Sequence, residues 1–369
     1  MAESYEPHVP VNPSAPEAGK GKKKKSRLRE WSEALFFAFI GVMIFRTFFF
    51  EAFTIPSSSM EKSLLKGDYI LVSKLHYGGR TPMTLLSVPF FHQQLSEKLH
   101  SFLTWIELPY RRLPGFSKVR INDIVVFNTP QEDEFPVDQR TYYIKRCLAT
   151  PGDIFEIRDA GVWVNHQLIA LPEESETEYI VKTDSSALPA EKLKALHITD
   201  LNSAPVPGHY LFELTRTAAD SLQCWNNVLS VAPNAPKKGQ KDESLFPNAK
   251  AFSWNLDHYG PLRIPAKGMT WKVSADSLPL YEKIIRVYEH NDLEVRHDSV
   301  FINHAYAQSY TFQMNYYFML GDNRHYSLDS RYWGFVPEDH LVGKAVLILA
   351  SVDKENKSWR WDRLFRKIK

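Results

Sequence analysis

Three consecutive serines stand in the segment Ile55–Leu64, which reads IPSSSMEKSL. A serine run after a proline is typical of an ordinary loop, so this segment alone indicates no chemistry. A serine hydroxyl attacks an amide carbonyl only when a base removes its proton. The common base is a histidine held by an aspartate. The thirteen histidines leave candidates for that base, but none lies in a recognisable triad motif.

A lysine stands in a second segment, Tyr142–Asp153, which reads YYIKRCLATPGD. A lysine can replace the imidazole if its amine is neutral, and its pKa must then fall from about 10.4. Burial among apolar groups can lower such a pKa by roughly 3–5 units, and Tyr143, Ile144 and Phe127 could cover Lys145 in this way. The alternative is a lysine at a strand edge whose ammonium reaches water.

Two more segments combine turn residues with charged side chains, namely Lys118–Pro130 (KVRINDIVVFNTP) and Met319–Lys344 (MLGDNRHYSLDSRYWGFVPEDHLVGK). Together with the serine and lysine segments, they resemble bacterial type I signal peptidase, the membrane-anchored serine protease that removes signal peptides from exported proteins. The matching motifs are P-S-x-S-M at 56–60, Y-I-K-R at 143–146, P-G-D at 151–153, G-D-N-R at 321–324 and S-x-D-S-R-x-W-G at 327–334. The resemblance covers about 50–158 and 281–350.

The resemblance implies a role for four polar residues. Ser59 is the nucleophile, and Lys145 is its neutral general base. The Ser57 hydroxyl and the Ser59 backbone N–H form the oxyanion hole, which stabilises the tetrahedral intermediate, while the Ser327 hydroxyl orients the lysine amine. The family cleaves after small residues in an Ala-x-Ala pattern, and the positions that match its apolar substrate pocket are Ile55, Met60, Leu64 and Ile144.

Four charged residues of the last motif, Asp322, Arg324, Asp329 and Arg331, could be catalytic or structural. Alternating carboxylates and guanidiniums suit buried bidentate pairs. We therefore expect them to fix the loop that holds Ser327 near the site. No motif predicts a cofactor or a metal site.

Three features depart from the family's usual pattern. Ser58 stands where many members have glycine, His325-Tyr326 replaces a more polar pair, and residues 79–117 and 171–280 are long insertions. None of these departures removes a catalytic group. Similar insertions, and the phrase YYFMLGDNRHYSLDSRYWGF, resemble the Bacteroidetes branch of the family.

An apolar segment precedes the serines. Residues 34–45 are an unbroken apolar run that resumes after Arg46. As a helix, residues 31–50 would span about 30 Å, the thickness of a bilayer core. A buried soluble helix and a cleaved signal peptide are alternatives, but no A-x-A-like site follows. A signal anchor in the inner membrane fits best, with the run Lys22–Lys25 holding the N-terminus in the cytoplasm and the catalytic domain on the outer, periplasmic side.

The net charge of +2 hides an asymmetry between the ends and the body of the chain. Residues 20–30 carry seven Lys/Arg against one Glu, and residues 354–369 carry seven against two acidic residues. Basic ends beside a membrane segment suit anionic phospholipid, whereas an acidic body argues against nucleic acid. The expected partners are therefore exported preproteins and a phospholipid membrane, with no nucleic acid, and the oligomeric state stays open.

The rest of the chain predicts a mostly β protein in which one N-terminal transmembrane helix precedes a β-rich catalytic core. Strands are expected at Asp68–Lys74, Asp123–Phe127 and Val342–Val352, and a helix at 93–106. Residues 156–166 (EIRDAGVWVNH) and 294–304 (EVRHDSVFINH) predict two similar hairpins. The expected organisation is a disordered basic tail at 1–30, the anchor at 31–50, a catalytic core at 51–158 and 281–350 with an insertion at 79–117, an inserted lobe at 171–280 and a basic, aromatic tail at 354–369.

Two other functions remain open. A catalytically silent relative would act as a membrane-tethered binding protein, which the presence of all four polar site residues disfavours. A self-cleaving Ser/Lys repressor would need a DNA-binding domain in place of the anchor, and residues 1–50 contain none.

Overall fold

The computed structural model describes residues 26–91, 93–96, 99–196, 198, 202–203, 206–297, 299–353 and 356–368. The first 25 residues, which hold most of the predicted disordered tail and the whole lysine run, lie outside the described residues.

A 22-residue helix, Arg27–Phe48, opens the described chain. The Ser26 hydroxyl accepts a hydrogen bond from the Arg29 N–H at 3.4 Å, as N-cap serines do. The helix is long and apolar enough to cross a membrane, and none of its residues is buried, which argues against a soluble core helix. This helix fits a single-pass membrane protein. The chain consists of two compact units, and the boundary between them lies within this helix, after Met43.

One antiparallel sheet brings distant parts of the chain side by side. Its strands, in spatial order, are Phe50–Thr54, Asp68–Ser73, Leu341–Asp353, Ile124–Asn128, Tyr142–Ala149, Tyr316–Leu320 and Val336–Pro337, and Ser358–Trp359 and Arg366–Lys367 also pair with Leu341–Asp353. All five residues of Ile124–Asn128, four of them apolar, are buried. The last five residues of the neighbouring strand Tyr142–Ala149 are buried as well, as expected of central strands. This sheet therefore holds three distant segments in one layer. They are Phe50–Thr54, which precedes the serine segment, Tyr142–Ala149, which carries Lys145, and Tyr316–Leu320, which leads into the last motif. The prediction of a mostly β core behind one apolar helix is confirmed.

Smaller sheets surround the central one. Their strands are Gln167–Leu168, Gly161–Val164, Ile154–Arg158 and Tyr259–Arg263 in one sheet; Asn202–Ser203, His209–Thr215, Glu176–Thr183 and Val228–Pro233 in a second; Leu293–Arg296, Ser299–Ile302 and Ala305–Tyr306 in a third; and three pairs, Thr270–Lys272 with Ser309–Thr311, Thr84–Ser87 with Phe102–Glu107, and Gln94–Ser96 with Leu99–His100. The short helices are Ala190–Ala195, Arg216–Gln223, Leu278–Lys283, the π-helix Ile284–Tyr288 and Ser330–Trp333, with single 3₁₀ turns at Val137–Gln139, Glu338–His340 and Trp361–Arg363.

The predicted inserted lobe, 171–280, contributes to two hydrophobic clusters. The sheet around Glu176–Thr183 has a cluster of its own that includes Phe212 and Leu222. Tyr259 and Leu262 instead pack in the same cluster as Phe318 of the central sheet. The domain boundaries given above stay a prediction.

The two similar hairpins are confirmed. Ile154–Arg158 pairs with Gly161–Val164, and Leu293–Arg296 pairs with Ser299–Ile302. Asn165 and Asn303 occupy equivalent turns, and each side-chain oxygen accepts a hydrogen bond from a backbone N–H, at 2.9 Å from Ile154 and 3.0 Å from Asp292. The repeated V-x-x-N-H pattern, at 162–166 and 300–304, thus encodes the same turn twice.

The predicted helix at 93–106 is wrong. Residues 102–107 (FLTWIE) form a strand that pairs with Thr84–Ser87. Threonine, tryptophan and isoleucine in succession favour an extended backbone, and this local preference prevails where a partner strand is available.

Candidate active site

Ser59 lies in a tight turn that follows the strand Phe50–Thr54. The Glu61 N–H donates to the Ser58 carbonyl at 2.9 Å, and the Leu64 N–H donates to the Met60 carbonyl at 2.7 Å. Ser59 is buried at 8% exposure. The Ser57 Oγ is 3.4 Å from the Ser59 Oγ, and Ser57 is itself exposed. The turn therefore presents two hydroxyls side by side, one of them open to an approaching ligand.

Lys145 reaches this turn from the middle of the central sheet. Its backbone pairs with Val125, and its side chain is only 5% exposed. The Nζ atom donates a hydrogen bond to the Ser59 Oγ at 2.7 Å and lies 5.7 Å from the centre of the Tyr143 ring. The structure thus brings together Ser57, Ser59 and Lys145, and their catalytic roles stay a prediction.

The environment of the amine changes its protonation. Burial lowers the pKa of Lys145 from 10.5 to about 8, and the negative charges of Asp329 and Asp322 act in the opposite direction. Removing water from an ammonium favours its neutral form. With this pKa, about a tenth of the amine is neutral at pH 7 and about half at pH 8, so it can act as a base.

The loop after strand Tyr316–Leu320 packs directly on the serine turn. The Asn323 N–H donates to the Ser59 carbonyl at 3.2 Å. A Cβ atom on Gly321 would lie 2.2 Å from the Ser327 Oγ and 2.6 Å from the Ser59 carbonyl oxygen, so only glycine fits between them. Ser327 is buried beside the site, but its hydroxyl has no hydrogen-bond partner among the described residues. Its lysine-orienting role stays a prediction.

Buried ion pairs hold this loop. The Asp329 carboxylate accepts two hydrogen bonds from the Arg331 guanidinium, at 2.9 and 2.8 Å. It also accepts from the backbone N–H groups of Arg331, at 3.2 Å, and Gly321, at 3.1 Å. The Asp322 carboxylate is bidentate with Arg146, at 2.7 Å for both bonds. Bidentate pairs fix orientation as well as distance, so these contacts fit the structural role expected of the carboxylates.

Arg324 differs from the other guanidiniums. Its Nε and Nη1 atoms have no partner among the described residues. Burial lowers the pKa of Arg324 to about 10, with the positive charge of Arg331 acting in the same direction. Its backbone N–H donates to the Glu176 carbonyl at 2.9 Å. Its structural contribution therefore comes through the backbone.

This chain matches the family described as "Signal peptidase, peptidase S26" over residues 28–224 and 271–350. The chain belongs to that family. The expectation of a bacterial type I signal peptidase, a serine protease and hydrolase, is confirmed.

Three relatives named signal peptidase I illustrate the similarity. The protein of Buchnera aphidicola subsp. Acyrthosiphon pisum is 27% identical over 339 residues, which cover 91% of this chain and 80% of the relative. That of Haemophilus influenzae is 25% identical over 353 residues, covering 93% and 77%. That of Aquifex aeolicus is 24% identical over 326 residues, covering 88% and 85%. The Bacteroidetes branch stays a prediction.

The four residues that match the family's substrate pocket lie in one apolar cluster. Ile55, Met60 and Leu64 are buried, and Ile144 is partly buried against them. Met60 and Leu64 have no exposed surface in this conformation. Ile144 is therefore the one of the four that a substrate side chain can reach directly, and the pocket assignment stays a prediction.

Sequence reasoning assigned no role to three residues that shape this signal peptidase site. Arg146 stands in the Y-I-K-R motif, which could have drawn attention to it as the partner of Asp322. His325 departs from the family's usual pattern, which predicts no contact for it. Its Nε2 lies 3.1 Å from the Asp257 carboxylate, and its Nδ1 accepts a hydrogen bond from the Glu178 N–H at 3.1 Å.

Glu176 gave no signal because it lies in an insertion. Its backbone pairs with Asn323, and its buried carboxylate lies 3.4 Å from the Lys62 Nζ. Glu176 therefore joins the strand Glu176–Thr183 to both the serine turn and the loop of the last motif.

Proposed function

We propose that this signal peptidase cleaves preproteins by a Ser/Lys mechanism, with Ser59 as nucleophile and Lys145 as general base. The observation that carries the proposal is the 2.7 Å contact between the Lys145 Nζ and the Ser59 Oγ in surroundings that lower the lysine pKa to about 8. A nucleophile and a base within hydrogen-bonding reach are the minimum that acyl transfer requires.

The geometry accounts for each proton. The neutral Lys145 amine accepts the Ser59 proton as Oγ attacks the scissile carbonyl carbon. The resulting oxyanion accepts hydrogen bonds from the Ser59 N–H and the Ser57 hydroxyl. When the intermediate collapses, the Lys145 ammonium gives its proton to the leaving amine, and an acyl-enzyme ester remains on Ser59. Lys145 then takes a proton from the water that attacks the ester carbonyl, and it returns that proton to the Ser59 Oγ as the ester bond breaks. This step frees Ser59 and releases the signal peptide with a new C-terminal carboxylate.

Substrate choice follows from the apolar cluster beside the serine turn. Ile144 is partly buried against this cluster, in which Met60 and Leu64 are fully buried. A floor so closely packed accepts small side chains and rejects large ones. We therefore expect cleavage after small residues in an Ala-x-Ala pattern, as the family resemblance implies.

The membrane arrangement belongs to the same proposal. Arg27–Phe48 would span the inner membrane with the basic N-terminus in the cytoplasm. The catalytic unit would then lie on the outer side, where exported preproteins emerge with their signal peptides in the bilayer.

The test uses the full-length chain in detergent or in liposomes, with a preprotein that carries an Ala-x-Ala site. Wild type should cleave it and should be acylated by a serine-directed inhibitor, with the added mass on the peptide that contains Ser59. Ser59→Ala should lose both, whereas Ser58→Ala, at the exposed neighbouring position, should keep both. Acylation or cleavage by Ser59→Ala within about tenfold of wild type would contradict the assignment, and a wild type that does neither would favour the silent binding protein.

A further inference from the structure

Glu176 begins a strand of the predicted inserted lobe, yet both its backbone and its side chain contact the catalytic core. Its N–H donates to the Asp322 carbonyl and its carbonyl accepts from the Arg324 N–H, both at 2.9 Å. Its side chain is 4% exposed, and one carboxylate oxygen lies 3.4 Å from the Lys62 Nζ. Because a buried carboxylate is costly without a cation or hydrogen bonds, this ion pair fixes where the Lys62 side chain lies.

The backbone contact of Glu176 reaches Ser59 through a single peptide group. In the peptide that joins Asp322 to Asn323, the carbonyl accepts from the Glu176 N–H, while the N–H donates to the Ser59 carbonyl at 3.2 Å. The carbonyl and the N–H of a planar trans peptide point in opposite directions. This peptide therefore bridges Glu176 and the serine turn directly.

The side-chain contact of Glu176 reaches the same turn three residues after Ser59. Lys62 has a φ of +64°, a left-handed conformation that glycine adopts freely and that other residues rarely adopt. It lies within the turn closed by the Leu64 N–H, which donates to the Met60 carbonyl at 2.7 Å. A strained backbone of this kind persists only where its surroundings hold it, and the ion pair with Glu176 is one such contact.

We propose that Glu176 is a positioning residue for the oxyanion hole. The Ser59 N–H belongs to the peptide whose carbonyl, on Ser58, accepts from the Glu61 N–H at 2.9 Å. This peptide lies directly before the Ser59 carbonyl that the loop of the last motif holds, and in the turn that Lys62 completes. The two contacts of Glu176 keep the Ser59 N–H aimed at the position where the oxyanion forms, as an effective donor must be. The inference rests on the proposed Ser/Lys mechanism.

The test measures steady-state cleavage of a signal-sequence peptide by the full-length chain in detergent, with the active sites titrated by a serine-directed acylating inhibitor. Glu176→Gln removes the charge and keeps the backbone contacts. It should lower kcat per titrated site by at least about tenfold with KM unchanged, because the oxyanion donor acts on the intermediate. The pH profile should keep its wild-type midpoint, since Lys145 is not altered. Glu173→Gln, at an exposed position three residues earlier, is the matched control and should behave as the wild type.

Two double variants distinguish a role through the backbone of the turn from a general loss of stability. Glycine adopts the φ of Lys62 without an ion pair, so Lys62→Gly added to Glu176→Gln should restore kcat to within about threefold of wild type. Lys62→Ala added to Glu176→Gln should not, although the two double variants differ by one methyl group. Amide hydrogen exchange of residues 57–65 should be faster in Glu176→Gln and should slow again only in the glycine double variant.

Wild-type kcat per titrated site in Glu176→Gln would overturn the proposal. Equal kcat values in the two double variants would also overturn it, because the ion pair would then not act through the backbone at Lys62. Hydrogen exchange is read without turnover, so it separates this proposal from the proposed enzyme activity. If the wild type cleaves nothing and the exchange rates follow the expected order, the enzyme activity is contradicted and the positioning of the turn is supported. Exchange that is the same in all variants would contradict the positioning.

Discussion

At the scale of single residues, Lys145 is the group on which the mechanism depends most. With a pKa of about 8, roughly a tenth of its amine is neutral at pH 7 and about nine-tenths at pH 9. Since only the neutral amine accepts the Ser59 proton, the acylation rate should rise through pH 8 and level off above pH 9. Single-turnover cleavage of a peptide from pH 6 to 10 checks this, and a rate that falls as pH rises would contradict it.

The Lys145→Arg variant separates a base from a structural cation. Arginine keeps the positive charge but cannot give up its proton in a protein. It should therefore be as inactive as Lys145→Met. If Lys145 only balanced the charges of Asp322 and Asp329, the arginine variant would retain substantial activity and the methionine variant would not.

Ser57→Ala should slow cleavage by roughly 10²–10³, the cost of losing one oxyanion donor. The side chain is exposed and its Oγ is 3.4 Å from the Ser59 Oγ, so folding should not change. The expected signature is a lower kcat with an unchanged KM, because the donor acts on the intermediate. Ser58→Ala is the control, and equal rates for the two variants would place the donor elsewhere.

The contact between Ser59 and Lys145 was predictable because both residues stand in motifs that resemble one family. Their separation of 86 residues carries no information about distance by itself. The ion-pair partners were less predictable. Which guanidinium meets Asp322 depends on how the strand Tyr142–Ala149 registers against Tyr316–Leu320, and sequence motifs do not encode that register.

At the scale of elements, the loop of the last motif depends on its approach to the serine turn. Gly321→Ala should lower both the activity and the unfolding temperature, since the added Cβ would lie 2.2 Å from the Ser327 Oγ and 2.6 Å from the Ser59 carbonyl. Overpacking of this kind costs about 1–3 kcal/mol. Gly41→Ala is a matched control because nothing lies within 4 Å of its added Cβ. Unchanged cleavage and thermal unfolding of Gly321→Ala would contradict this packing.

The sequence predicts where individual strands lie, but it does not predict which strands pair with each other. Asp68–Ser73 and Leu341–Asp353 stand where apolar, β-branched runs indicate strands, yet they pair across more than 250 residues of chain. The helix expected at 93–106 failed because spacing of apolar residues alone does not separate a helix from a ribbon whose two faces are both apolar. In an exposed ribbon of this kind, apolar and polar residues do not alternate along the strand as they do in a half-buried strand.

At the scale of the whole molecule, the C-terminal segment packs on the central sheet. Its strands pair with Leu341–Asp353, and its Trp359 and Trp361 rings stack at 5.7 Å. Arg363 is buried and bidentate with the fully buried Asp68, at 3.1 and 2.6 Å. The described part of this tail is therefore docked on the sheet, which its basic composition did not indicate. Its contact with the membrane stays a prediction.

Arg363 links the end of the chain to the serine turn, because its guanidinium also donates to the Ser63 carbonyl at 3.1 Å. Arg363→Ala leaves the Asp68 carboxylate buried without its cation, and breaking such a pair costs roughly 3–5 kcal/mol. Thermal unfolding of the full-length chain in detergent should show a clear loss, with a fall in cleavage as the turn loosens. Arg366→Ala, at an exposed position of the same segment, should change neither. The double variant Asp68→Asn/Arg363→Ala should recover part of the stability, since it removes the uncompensated charge. If Arg363→Ala and Arg366→Ala unfold alike, the chain end does not hold the serine turn.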